Sequence, residues 1–233
     1  MQAASYVRRR GEIETYFDRT ASDVWARLTS DAPVSGIRAT VRAGRDRMRA
    51  LLLDWLPDDL RARRLLDAGC GTGALAVEAA RRGATVTAID LSPNLIEVAR
   101  QRLPGDLGDG SVSLQSGDML DPALGRFDFV VGMDSLIHYK LPDTLAAVGS
   151  LAERCDEKVL FTFVPGMPAL MVMRAAGRLF PRGDRAPAME PVNPTVMLRE
   201  VAGCTALAGW HLARTERVSS GFYKSQALEL VRR

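Results

Sequence analysis

The chain has 233 residues, of which 47% are hydrophobic and 25% charged, a length and balance that fit one globular domain with a short extension. No apolar run reaches the ~20 residues needed to cross a bilayer, and Met1 to Arg10 holds no signal-type apolar stretch, so a cytoplasmic location is expected. The net charge of +3 is carried mainly by arginine, with Arg8, Arg9, Arg10, Arg27, Arg38, Arg42, Arg45, Arg47 and Arg49 crowded near the start. Such an excess suits an anionic surface or an acidic ligand, and no nucleic-acid motif accompanies it. Cys70, Cys155 and Cys204 show no paired spacing, and only His138 and His211 represent histidine. Neither a disulfide framework nor a protein-bound metal is expected.

In chain order, an N-terminal helical arm over residues 1–57 comes first, followed by a core over 58–233. In the arm, Thr20 or Ser22 can cap a short helix through Trp25 and Leu28, and Asp31-Ala-Pro-Val is a break. Ser35 can cap a longer helix ending near Trp55 and Pro57. Its apolar stripe is Ile37, Val41, Met48, Leu51, Leu52 and Trp55; Arg38, Arg42, Arg45 and Arg49 make a second stripe, read as a solvated face.

The core alternates. Strands are expected at Arg64–Asp67, Thr85–Asp90, Val112–Ser116, Phe127–Met133 and Lys158–Val164. Helices are expected at Ala74–Arg82, stopped by Gly83; at Pro93–Leu103, capped by Ser92 with proline in its first turn; and at Leu141–Cys155. This rhythm predicts a mostly parallel sheet with helices on both faces, binding its ligand beyond the carboxyl ends of the strands. Residues 165–194 break the rhythm with a Met-rich helix (Met167, Met171, Met173) and then a Pro/Gly/Arg stretch, and read as a lid or substrate-side insertion. His211 to Val231 suggests two last strands joined near Gly221.

The strongest motif is Asp67-Ala-Gly69-Cys-Gly71-Thr-Gly73, set between a strand and a helix. Its glycines also match a dinucleotide fingerprint and decide nothing alone. The acids decide. Asp67 precedes the first glycine, where it can hold a positively charged amino group and would repel a pyrophosphate. Asp90 ends the second strand, with Leu91 next, where the acid can take both ribose hydroxyls. Asp118 and Met119 follow the third, where an acid can accept an adenine amino group. Met133 ends the fourth strand. This ordered series resembles the class I S-adenosylmethionine (SAM)-dependent methyltransferases, which implies a Rossmann-like α/β fold with a seven-stranded sheet and SAM as methyl donor. The resemblance spans Leu65 to Val164. No Asn-Pro-Pro-Tyr type motif follows the fourth strand, which argues against DNA and protein-glutamine N-methylation.

A narrower resemblance is carried by Tyr16-Phe-Asp18, by the string from Leu28 to Arg38, by Asp134-Ser-Leu-Ile-His138-Tyr139 and by Ser220-Gly-Phe-Tyr-Lys-Ser-Gln226. These are similar to the magnesium-protoporphyrin IX O-methyltransferases of chlorophyll and bacteriochlorophyll synthesis, over nearly the whole chain. The resemblance implies attack of a propionate carboxylate of magnesium protoporphyrin IX on the SAM methyl group. A propionate is already ionised near neutral pH, so positioning matters more than a strong base. His138 is the leading catalytic candidate, as hydrogen-bond partner of the carboxylate, as base, or as a contact to the porphyrin magnesium. Tyr16 is the second, and Arg38 and Tyr139 are candidate substrate contacts, with Phe180, Met167 and Met171 as further pocket residues. Each has a packing or surface role as its alternative. The resemblance also implies handover from magnesium chelatase, and the arginine-rich arm is compatible with peripheral contact to a photosynthetic membrane. The alternatives are another small-molecule SAM-dependent methyltransferase, an NAD(P)-binding oxidoreductase and a non-catalytic SAM- or porphyrin-binding module.

Overall fold

A computed structural model describes residues 3–18, 36–166 and 188–233. The elements are α1 (Ala4–Tyr16), α2 (Gly36–Asp54), β1 (Arg64–Ala68), α3 (Ala74–Arg81), β2 (Thr85–Asp90), α4 (Pro93–Arg102), β3 (Ser111–Ser116), β4 (Phe127–Gly132), α5 (Leu141–Glu153), β5 (Cys155–Phe163), α6 (Pro194–Gly203), β6 (Trp210–Ser220) and β7 (Tyr223–Arg232). The sheet order is β3-β2-β1-β4-β5-β7-β6. The first five strands are parallel, and β7 runs antiparallel to both β5 and β6. The chain thus has the expected Rossmann-like α/β architecture, a seven-stranded, mostly parallel sheet.

Both faces of the sheet are covered, so the central strands are apolar on both sides. Side chains alternate between two cores. Leu66, Val130 and Phe161 point into one, with residues of α5 and α6 and with Tyr6 and Ile13 of α1. Leu65, Val131 and Leu160 point into the other, with Met48, Leu52 and Leu53 of α2 and Leu75, Ala76 and Ala79 of α3. The end of α2 is clamped to the sheet by charge. Glu229 on β7 is 1% exposed, accepts from Arg214 Nε at 2.5 Å and pairs with Lys158 Nζ at 2.9 Å. The same Lys158 donates to the Trp55 carbonyl at 2.7 Å, and the Arg214 guanidinium lies 5.4 Å from the centre of the Trp55 ring. The outer strands are β3 and β6, and the latter carries a bulge between Leu212 and Arg214.

Several local expectations meet the structure closely. Ser92 caps α4, its Oγ accepting from the Leu95 N–H at 3.2 Å, with Pro93 in the first turn. The hairpin joining β6 and β7 turns at Gly221, between the paired residues Ser220 and Tyr223. One boundary moves: α5 ends at Glu153 and β5 already begins at Cys155. No glycine or proline marks that change in sequence, and a register shift between Phe127 and Phe129 brings Phe127 opposite Cys155.

The sequence reads residues 1–57 as a helical arm but does not single out α1 within it; in α2, Met48 and Leu52 of the expected stripe are buried while Ile37 is exposed. The short helix from Thr20 or Ser22 and the Ser35 cap lie outside the described residues. So do Met167, Met171, Met173 and Phe180 of the insertion, whose two stems meet where the Gly166 N–H donates to the Val192 carbonyl at 2.7 Å.

Candidate active site

A cavity of about 690 Å³, counting its open mouth, lies at the carboxyl ends of β1 to β4, with α1 across it. The parallel sheet dictates this position, because each strand delivers its following loop to the same edge. The loop after β1 turns through Gly69 at φ 85°, and a Cβ there would stand 2.3 Å from the Cβ of Ser135, so only glycine lets the two loops meet. Gly71 lines the cavity as well, and Gly73 is the left-handed residue that precedes α3.

The acids stand in strand order. Asp90 faces the cavity, its two oxygens accepting from the backbone N–H groups of Gly71 at 2.8 Å and Ser92 at 3.0 Å. Burial raises its pKa, against the pull of those N–H groups. Asp67 is 2% exposed and lies behind the wall rather than on it. Its Oδ2 finds no hydrogen-bond partner among the described residues. Burial, and then the like charge of Asp90, lift its pKa to about 7, partly offset by the Ala76 backbone N–H. Among the described residues neither Asp67 nor Asp90 forms an ion pair, which suits a ligand that brings positive charge.

Asp118 faces the cavity from the loop after β3, but the arm already engages it. Tyr6 donates its hydroxyl to Asp118 Oδ1 at 3.0 Å, and Arg10 Nη1 reaches Oδ2 at 2.6 Å. The Leu120 N–H adds a third bond at 2.9 Å. Tyr6 also stacks on Tyr139, with ring centres 4.7 Å apart and planes 15° from parallel. Tyr139 is therefore packed beside Asp118, and burial pushes both tyrosines well above their usual pKa. Leu91, Met119 and Met133 complete the apolar wall.

His138 is 8% exposed on the cavity wall, with the Phe17 ring edge-on at 6.0 Å. It also borders a polar cleft of balanced charge, in which Arg8, Arg9 and Lys140 stand with Glu12, Asp143 and Glu190. Of the expected Tyr16-Phe17 pair, Phe17 lines the cavity, while Tyr16 sits beside it with ring centres 5.2 Å apart. Arg38 is exposed in the first turn of α2 and is not on either wall.

Sequence reasoning missed Tyr6, Arg10, Ile13 and Arg45. The first three belong to α1, whose helix carried no capping signal: Ala3 precedes it and makes no side-chain cap. Arg45 was read as part of a solvated stripe. It lines the cavity instead, and its Nη1 donates to Asp134 Oδ2 at 2.9 Å. Arg49 in the same stripe binds Glu78 at 2.7 Å and Asp46 at 2.9 Å. The partners Asp134 and Glu78 are far along the chain, so no local pattern reveals them.

Comparisons with known proteins identify the fold and the family. Residues 65–157 match a general methyltransferase domain, and residues 132–232 match the family described as magnesium-protoporphyrin IX methyltransferase C-terminus. The magnesium-protoporphyrin O-methyltransferase of Rhodobacter capsulatus is 49% identical over 97% of this chain and 98% of its own. The enzyme of the same name from Synechocystis is 31% identical over 94% of this chain and 95% of its own. A crystal structure of magnesium protoporphyrin IX methyltransferase from Synechocystis with bound S-adenosylhomocysteine (SAH) superposes with a TM-score of 0.82 at 28% identity, covering 96% of this chain and all of that one. With its sheet order, its acid series and this full-length likeness, the chain belongs to the magnesium-protoporphyrin O-methyltransferase family.

Proposed function

We propose that this protein is a SAM-dependent O-methyltransferase that esterifies one propionate carboxylate of magnesium protoporphyrin IX, giving the monomethyl ester and SAH. The observation that carries the reading is the single cavity whose wall joins Gly69, Asp90, Asp118 and His138, in a chain of this family. The residues fit the donor. SAM has a sulfonium and an ammonium, and the orphaned Asp67 Oδ2 and buried Asp90 favour positive charge. A dinucleotide would bring a diphosphate to the same acids, which disfavours the oxidoreductase alternative.

When bound, the donor supplies an electrophilic methyl group whose bond to sulfur breaks as the carboxylate oxygen attacks. The chain's own work is to bind, align and exclude water. Asp67 balances the ammonium, Asp90 accepts from the ribose hydroxyls, and Gly69 and Gly71 let the ligand approach the backbone. Asp118 and Met119 frame the adenine, and Leu91 and Met133 give the apolar sides. His138 holds the attacking carboxylate at the boundary between the cavity and the polar cleft. Arg8 and Lys140 line that cleft with His138 and Arg38 does not, but Glu12, Asp143 and Glu190 line it too, so positioning by His138 rather than a net positive cleft carries the assignment. Tyr16 is assigned to the substrate side through its neighbour Phe17. Handover from magnesium chelatase and peripheral contact with an anionic membrane belong to the same proposal. They are supported by the family and by the basic arm; among the described residues no helix is long and apolar enough to cross a membrane.

The test is turnover of methyl-labelled SAM with magnesium protoporphyrin IX, counting label in a base-labile porphyrin ester. Metal-free protoporphyrin and unrelated phenolic acceptors serve as competitors. Label in a phenol and none in the porphyrin would overturn the substrate assignment.

A further inference from the structure

The acids of the cavity answer the positive charges of the donor, but the donor's methionine end also carries a carboxylate. Strand order locates where that group would lie. Asp118 follows β3, Asp90 ends β2, Gly69 follows β1 and Asp134 follows β4, and these four strands are consecutive neighbours in the sheet. At ~4.8 Å per strand, the Asp134 end lies about 14 Å from the Asp118 end. An adenosine anchored at Asp118 and Asp90 sends its amino-acid end to the loops after β1 and β4. Arg45 from α2 enters the wall at that end.

We propose that Arg45 binds the α-carboxylate of the methyl donor, with Asp134 as its positioning residue. The inference rests on the SAM reading of the cavity and extends it. Asp134 is a built support. It holds φ 55°, a left-handed conformation unusual for a residue with a side chain. Its side chain is 6% exposed, and its N–H donates to Thr162 Oγ1 at 2.7 Å. Its carboxylate accepts from Thr162 Oγ1 at 3.1 Å, Ser225 Oγ at 3.1 Å and the Tyr223 hydroxyl at 3.0 Å, besides Arg45. Four donors spread the Asp134 charge, so Arg45 remains attractive to a second anion. A guanidinium offers five N–H donors in a fixed fork, enough to hold Asp134 and a ligand carboxylate together. Beside it, Ser135 Oγ is buried on the same wall without a hydrogen-bond partner among the described residues. That hydroxyl is a second donor at the carboxylate end.

The experiment measures binding, not turnover. Dissociation constants for SAH and for its decarboxylated analogue are determined by calorimetry on wild type, Arg45→Gln and Arg45→Lys. Loss of a hydrogen bond to a charged group predicts that Arg45→Gln weakens SAH about 10- to 100-fold. The decarboxylated analogue should bind wild type and variant equally within twofold. Arg45→Lys, which keeps the charge but not the fork, should fall between them for SAH and again leave the analogue unchanged. If both ligands weaken together in a folded variant, Arg45 is only a tether between α2 and β4 and the proposal fails. Unchanged SAH binding with a raised KM for the porphyrin would also overturn it, by assigning Arg45 to a propionate. Should Arg45→Gln not fold, the Arg45→Lys comparison decides by the same criteria. Wild type that binds neither ligand would refute the SAM reading itself, an outcome separate from the others.

Discussion

Replacing Asp67 by asparagine is expected to stabilise the ligand-free protein at alkaline pH while weakening donor binding. Asp67 is 2% exposed, and burial with the nearby Asp90 charge lifts its pKa from 3.8 to about 7. The folded value lies above the unfolded one. Between pH ~4 and ~7 the folded chain therefore holds a proton that the unfolded chain has released, and stability falls as pH rises through that window. Above pH ~7 the full penalty is present, about 4 kcal/mol at 1.36 kcal/mol for each tenfold change. The asparagine can keep an acceptor for the Ala76 N–H, but its own amide hydrogens need partners, so about 2 kcal/mol of net gain is a reasonable expectation. For a chain of this size that is roughly 4–8 °C in Tm. Thermal unfolding of both proteins from pH 4.5 to 8.5 should show the difference growing with pH and levelling off above 7. SAH should bind the variant about 10- to 100-fold more weakly, because its ammonium loses a charged partner. Wild type should release protons on binding SAH at pH 6.5, read by calorimetry in two buffers of different ionisation enthalpy. A variant that is less stable at pH 8.5, or a stability difference that ignores pH, would refute the reasoning and make Asp67 a structural acid.

The remaining predictions concern the arm, the packing and the chemistry. Arg10→Ala removes the cation that holds Asp118, and hydrogen exchange in α1 should accelerate while exchange in the sheet does not change. Gly44→Ala would place a Cβ 2.5 Å from the Tyr223 ring, so overpacking should cost about 1–3 kcal/mol in urea unfolding and should loosen SAH through the Tyr223–Asp134 bond. Glu229→Ala would leave Arg214 and Lys158 without their shared carboxylate; as both cations retain some water, a loss of about 2–3 kcal/mol is expected. His138→Ala should lower kcat about 100-fold with SAH affinity intact, and near-normal turnover would remove His138 from the mechanism.

How much of this was legible in sequence depended on whether the signal was local. The Asp67 to Gly73 loop, the Ser92 cap and the alternating core strands are written in short windows, where one turn or one strand determines its own residue types. The candidate acids were read from their places at the ends of successive strands. The arm was illegible for the opposite reason. Helix α1 buries only Tyr6 and Ile13, so its sequence has almost no apolar periodicity. It is held by partners more than a hundred residues away, through the Asp118 bonds and the Tyr139 stack. Arg45 failed in the same way, since nothing near it in the chain distinguishes it from Arg38. The pair of candidate acids also proved unequal: Asp90 is on the wall and Asp67 behind it, a difference of side-chain depth that strand position does not encode.

The outer strand β6 has a consequence for how copies of this protein coexist. An unpaired strand edge is a template on which another chain can zip. Here that edge exposes Arg214, Glu216 and Arg217, and the Leu212/Arg214 bulge interrupts its hydrogen-bonding rhythm. A second molecule attempting to extend the sheet would meet mixed charge and a broken ladder. Among the described residues no strand pairs with that edge, and these features disfavour fibrillar stacking of copies on it.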